Sequence, residues 1–336
     1  MLPMGWTGLP GRRGAAGVAE AGRRAALLLR AALYHRVRAF FAERGVLEVE
    51  TPILSEAGNT EPNIESFTAA FNGPVQARPG PRWLRTSPEY PLKRLLAAGV
   101  GDCYELGRVF RNGEAGRRHN PEFTMLEWYR VGWDHLALIE ETVALVQAAL
   151  GLVDRAATVR SVTYRQLFVD ALALDPFTAS IDDLGVPLAG FGIRGEDLTR
   201  DDWLDLLITH RIQPAFAPDA ITVVRDWPAS QCALARIRPG APPVAERFEL
   251  YLGQQELANG YHELTDPAEQ RARFEQDHAR RRARGQVEPP IDERLLAVLG
   301  DLPPCAGVAL GVERLLMALA GTDDIRDVLA FAFADA

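Results

Sequence analysis

The chain has 336 residues, 47% of them hydrophobic and 24% charged, with a formal net charge of −8. That is the composition of a globular protein of one or two domains, and the acidic balance excludes one built mainly to coat nucleic acid. No uninterrupted apolar run reaches the length, about 18 residues, of a membrane-spanning helix.

Residues 1–22 are rich in Gly, Arg and Ala and lack the apolar segment and cleavage site of a secretory signal, so they read as a disordered tail. Cys103, Cys232 and Cys305 lie far apart with no CxxC pair, which fits a reducing cytoplasm and no structural zinc. Lys93 is the sole lysine, every other Lys/Arg position being arginine; with so much Ala and Pro this reads as composition bias. From Arg23 to Arg44, Leu27, Ala31, Tyr34, Val37 and Phe41 recur at helical spacing, and Gly45 ends the helix. Val46–Glu50 is a short strand stopped by Thr51-Pro52. In WLRTSPEYPLKRLLAA, Ser87, Pro88 and Glu89 open a helix: Pro suits the first turn and Glu the positive end of the dipole.

The stretch from Tyr104 to Arg130 predicts a hairpin. Cys103–Phe110 is rich in aromatic and β-branched residues, Glu122–Tyr129 alternates, and Gly113, Gly116 and Pro121 supply the turn. Arg111 then stands at a strand end, with Arg117, Arg118 and His119 on the loop between Asn112 and Asn120. Phe123, Met125, Glu127 and Tyr129 share one face of the return strand. A cationic strand end beside aromatic and acidic groups suits a polyphosphate nucleotide and an amine-bearing substrate; an arginine-tipped surface hairpin is the plainer reading. Leu136–Leu150 reads as an amphipathic helix, Tyr164–Leu172 and Asp201–His210 as helices, and Ile221–Arg225 as a strand. In ERFELYLGQQELANGYHEL two strands turn near Gly253, so Glu249 and Glu256 can converge as a carboxylate pair for a divalent cation, unless both are solvated. Pro267–Gly285 is a helix carrying Arg271, Arg273, Arg280, Arg281, Arg282 and Arg284, a solvated face by default and a docking patch for an acidic partner as the alternative. Last comes a strand through Leu310, then Gly311, whose missing side chain lets backbone approach a ligand, and a helix with Arg314 one turn in.

Several of these stretches resemble class II aminoacyl-tRNA synthetases. FRN, a loop and HNPEFTMLEWY resemble motif 2 (about 103–130); VLEVETPIL resembles motif 1 (about 30–55), and GVALGVERLLMALAG resembles motif 3 (about 304–320). The text MLEWYR, VAERFE, ELANG, HELTD and GVALGV is most similar to the stand-alone paralogues of the lysyl-tRNA synthetase catalytic domain that lysylate translation elongation factor P. The resemblance covers residues 23–336. It implies an α+β catalytic domain with a mixed, mostly antiparallel sheet flanked by helices, and a family insertion at about 155–220. Motif 1 starts near residue 23 and little follows motif 3, so no anticodon-binding barrel is expected.

The resemblance also implies a homodimer through motif 1, with ATP and Mg²⁺ as cofactors, lysine or β-lysine as amino acid, and elongation factor P rather than tRNA as acceptor. Arg111 would be catalytic, bridging carboxylate and α-phosphate with its planar fork. ATP would be held by Arg111, Asn112, Gly113, Asn120, Phe123, Glu256, Leu257, Gly311 and Arg314, with Phe123 and Arg314 on the adenine. Glu249 and Glu256 would carry the metal. Ser87, Pro88, Glu89, Tyr129, Glu263 and Ala309 would hold the amino acid. Three places depart from the family text: Gly113 replaces a usual Glu with Glu114 next, Glu313 replaces Asp, and the two residues Pro91-Leu92 replace a polar pair. A tRNA-charging enzyme without its own anticodon domain and a non-catalytic paralogue are the alternatives; the joint presence of Arg111, Glu249, Glu256 and Arg314 argues against the latter.

Overall fold

The computed structural model describes residues 15–193 and 198–336. In chain order its elements are α1 (Ala15–Ala42), β1 (Leu47–Glu48), β2 (Leu54–Ser55), β3 (Thr68–Phe71), β4 (Gly80–Leu84), α2 (Glu89–Ala97), β5 (Cys103–Phe110), β6 (Glu122–Val131) and α3 (His135–Leu150). Then follow β7 (Thr158–Thr163), α4 (Tyr164–Leu172), α5 (Ile181–Gly185), α6 (Arg200–Leu207), β8 (Ala220–Pro228), β9 (Ile237–Arg238), β10 (Val244–Leu252) and β11 (Gln255–His262). The last are α7 (Pro267–Ala283), α8 (Glu293–Leu296), β12 (Cys305–Gly311) and α9 (Val312–Ala320).

Nine strands form one sheet in the order β1-β5-β6-β12-β11-β10-β8-β7, with β9 beside β10. The β1–β5 and β7–β8 pairs are parallel and the others antiparallel, the mixed, mostly antiparallel sheet that the sequence implied. One core packs Phe41, Trp128, Leu145, Phe248, Val308 and Leu316 between the sheet and α1, α3 and α9. Helix α3 belongs here: His135–Val153 has the length and mean hydropathy (1.8) of a membrane span, yet Leu138, Leu145, Val146 and Ala149 are fully covered by the core. A second core, around Tyr164, Phe168, Leu207 and Trp227, fills the segment before β8, and a third, around Leu92, Phe274 and Leu299, lies beneath α2 and α8.

Three expectations change. Helix α1 begins at Ala15, so residues 15–22 are helical where a tail was expected, and the rest of that expectation, residues 1–14, lies outside the described residues; alanine, at 15, 16, 19 and 21, is the best helix former. The strand expected at 46–50 is only two residues long. The segment at 155–220 holds more order than its text suggested: β7 adds to the sheet edge, and α6 ends in a wider turn over Ile208–Ile212. A separate three-stranded sheet, β2-β4-β3, had no sequence signal.

Candidate active site

The β5–β6 hairpin pairs Cys103 with Tyr129 through Phe110 with Glu122, as the alternation required. Its loop is pinned from three sides. The Arg111 amide donates to Pro121 O, the Asn112 amide to Glu65 O, and the amides of Ile325 and Phe333 donate to Arg117 O and to the Asn120 side chain. Gly113 adopts φ +82°, a left-handed conformation that disfavours any side chain. Glycine suits that conformation, and the neighbouring Glu114 lies 3.7 Å from the Arg111 guanidinium.

A cavity of about 1220 Å³ opens over the sheet. Arg111, Asn120, Phe123, Leu257, Gly311 and Arg314 all line it. The Arg111 guanidinium stands 5.2 Å from the centre of the Phe123 ring. Arg314 donates to the Glu256 carboxylate at 3.1 Å and meets His119 Nε2 at 3.0 Å. Burial, and then the Arg314 charge, lower the His119 pKa, which favours the neutral ring that can accept this bond. Asn112 and Gly113 fall outside the lining, and the Asn120 amide is spent on Glu122 O and the Phe333 amide, so its side chain is a strut.

Glu249 and Glu256 both line the cavity, close enough that Glu256 acts on Glu249. Burial first, then the Glu256 charge, push the Glu249 carboxyl up to about 7, despite bonds from Arg247 and the Tyr251 hydroxyl. These two adjacent carboxylates, each also paired with an arginine (Arg247 and Arg314), offer hard oxygen donors of the kind that Mg²⁺ takes.

Beyond them lies a pocket whose floor the sequence described only in part. Ser87 Oγ donates to Glu127 at 2.6 Å and the Tyr129 hydroxyl donates to it at 2.8 Å. Lys93, 1% exposed, sits 2.6 Å from Glu89 and 2.7 Å from Glu263. Burial, and then neighbouring Glu89, raise Glu127 to about 8; burial likewise raises Glu263 to about 8 against the pull of Lys93. Ala309 lines this end, paired across β12 with Glu127 and Asn259. Pro88 is instead the N-cap of α2 and contributes no lining. Reading the sequence assigned no role to Glu127, Lys93 or Gly307. The first was signalled by sharing a strand face with Tyr129; the other two had no local signal.

The arginine-rich helix needs correcting. Arg281 is buried, not displayed: it donates to the carbonyls of Thr60, Glu61, Ile64 and Val287 and pairs with Glu65. Arg271, Arg273 and Arg282 pair with Glu293, Glu269 and Glu288, so most of this face is internally balanced. Glu313 is also structural, accepting from Arg30 and from the Thr124 amide, both at 2.8 Å, which ties α1 and α9 to β6. Outside the cavity, His135, Glu246 and His262 form a compact cluster, but Arg236 and Arg238 already neutralise Glu246.

Residues 16–334 match the family model of tRNA synthetases class II (D, K and N). The chain is 48% identical over 308 residues to the elongation factor P–(R)-β-lysine ligase of Vibrio cholerae, covering 90% of this chain and 94% of that protein. It is 46% identical over 309 residues to the protein of the same name from Klebsiella pneumoniae, covering 91% and 94%. With Arg111 and Arg314 lining one cavity on this sheet, and with these relatives, one conclusion follows: the chain belongs to the class II tRNA synthetase family (D, K and N).

Proposed function

We propose that the chain is an ATP-dependent ligase that activates (R)-β-lysine or lysine as an aminoacyl-adenylate and transfers it to a lysine ε-amine of elongation factor P. The observation that carries the amino-acid assignment is a charge count. Glu89, Glu127 and Glu263 act on one another at one end of the cavity, and the cation paired there is Lys93, bound to Glu89 and Glu263. Fully ionised they leave two negative charges, the number of ammonium groups on lysine or β-lysine, and ions buried in this way need partners. The names of the relatives supply the acceptor and favour the β isomer. A cytoplasmic location follows from an acceptor that serves translation.

Activation needs positioning and charge neutralisation more than a covalent catalyst. Arg111, beside the Phe123 ring, is the residue to bridge the amino-acid carboxylate and the α-phosphate; Phe123 and Arg314 flank the adenine site. Glu249 and Glu256 would hold Mg²⁺, which neutralises phosphate charge when bound. Glu89, Glu127, Tyr129 and Glu263 orient the two amines, and Ala309 narrows the end of the pocket. In the second step the acceptor amine attacks the acyl carbon and AMP leaves. The homodimer through motif 1 is part of this reading, supported by the exposed apolar side chains of Leu27, Leu28, Leu47 and Leu54 on α1, β1 and β2.

The test is the intact mass of elongation factor P after incubation with the enzyme, ATP, Mg²⁺ and each lysine isomer. One added lysyl group is expected. An unmodified factor, with labelled lysine appearing on bulk tRNA, would favour the tRNA-charging alternative.

A further inference from the structure

An enzyme that makes an acyl-adenylate and hands it to a lysine amine exposes its own lysines to the same chemistry. This chain has one lysine. Lys93 is 1% exposed and clamped by Glu89 and Glu263. Burial works against its charge, but the two carboxylates outweigh burial and hold the ammonium above the ordinary lysine value. A protonated amine has no lone pair to attack with, so the one lysine is inert although it sits against Glu89 and Glu263, which line the cavity. Where the cavity meets solvent, the cations are arginines: Arg118, Arg280 and Arg284 are exposed and line the mouth. A guanidinium stays protonated at any physiological pH, whereas an exposed lysine amine with pKa about 10.4 always keeps a reactive fraction.

We propose that carrying arginine and not lysine around the cavity mouth, whatever the origin of that composition, makes the enzyme a non-acceptor for its own activated product, confining acylation to the incoming protein lysine. The inference rests on the proposed ligase activity. The side reaction it prevents is simple: a mouth amine attacks the acyl carbon, an amide bond forms, the bond from acyl carbon to phosphate oxygen breaks, AMP departs and the ammonium proton goes to solvent. Arginine at these positions keeps the positive potential for an anionic nucleotide and omits the nucleophile.

The experiment uses the full chain and two charge-preserving variants, Arg280→Lys and Arg284→Lys, with Arg160→Lys as a control. Arg160 lies exposed on β7 and takes no part in the cavity lining. Each protein is incubated with ATP, Mg²⁺ and lysine without acceptor, then measured by intact mass and peptide mapping, while lysine-dependent pyrophosphate exchange is followed in parallel. The parent should stay unmodified at Lys93, and at least one mouth variant should gain a lysyl group at the new residue faster than the control does at 160. Exchange at the parental rate with no acylation of either mouth variant, or with equal acylation of the control, would overturn the inference alone. Absence of exchange in the parent would overturn the ligase reading, and this inference with it.

Discussion

Gly307 offers the sharpest test of the amino-acid pocket. It lies on β12 opposite Tyr129 of β6, and a Cβ placed there would stand 2.2 Å from Tyr129 Cε1 and 2.6 Å from Glu263 Oε1. Ordinary contact begins at about 3.4 Å, so the ring must retreat by more than an ångström. It has nowhere to go: Tyr129 and Glu263 are each 2% exposed, and the ring packs within the core beneath α2. Overpacking of this kind costs about 1–3 kcal/mol. Taken up by displacing Tyr129 and Glu263 from the pocket, that energy corresponds to a rise of about five- to 150-fold in the KM for lysine. The Gly307→Ala variant should show this rise in pyrophosphate exchange while the KM for ATP stays near the parent, because Phe123 and Arg314 are untouched. A parental lysine KM with an unchanged melting temperature would refute both the contact and the assignment of this pocket.

Arg111→Ala should lower adenylate formation by about two to three orders of magnitude, the scale for one preorganised donor at developing charge, measured as lysine-dependent exchange. Glu127 and Glu263, held near 8, carry protons that the substrate's ammonium groups must displace. The lysine KM should therefore fall as pH rises from 6.5 to 8, by up to about tenfold per unit for each proton displaced. Because these raised carboxyls keep protons that the unfolded chain has lost above about pH 4.3, the substrate-free enzyme loses stability as pH climbs towards 8. Lysine should then raise the melting temperature more at pH 8 than at 6.5, and an equal shift would contradict the assignment. Arg281→Ala leaves a ring of carbonyls unpaired and should cost about 3–5 kcal/mol, seen as a melting temperature lower by several degrees. Ala309→Gly should shift the kcat/KM ratio of lysine to β-lysine about tenfold towards lysine, within the 1–3 kcal/mol of one methylene in a tight pocket; an unchanged ratio removes Ala309 from isomer choice.

What the sequence disclosed depended on whether a feature was local. The β5–β6 and β10–β11 hairpins were legible because alternation and turn residues are written within each stretch, and Arg111, Glu249 and Glu256 came with them. Strand β7 was not, since most of its residues are exposed and nothing forces an apolar rhythm; β3 is exposed throughout for the same reason. Lys93 and Glu263 meet only through tertiary packing, so no spacing announced the pair. In Arg280-Arg281-Arg282 the text is uniform, and only the fold separates the buried middle residue from its exposed neighbours. Gly307 likewise becomes readable only once Tyr129 stands opposite it.

The position of β12 carries a consequence in time. It is the last strand of the chain, yet it lies in the middle of the sheet between β6 and β11. Until it arrives, the hairpin bearing Arg111 and the hairpin bearing Glu249 and Glu256 have no common border. The motif 2 loop also waits, because its latches, the Ile325 and Phe333 amides, emerge later still. During synthesis on a ribosome the two halves of the cavity can each form early, but the closing step draws on β12 and the residues that follow it. Such distant pairings close slowly. A nascent chain therefore has no assembled cavity until β12, Ile325 and Phe333 have emerged.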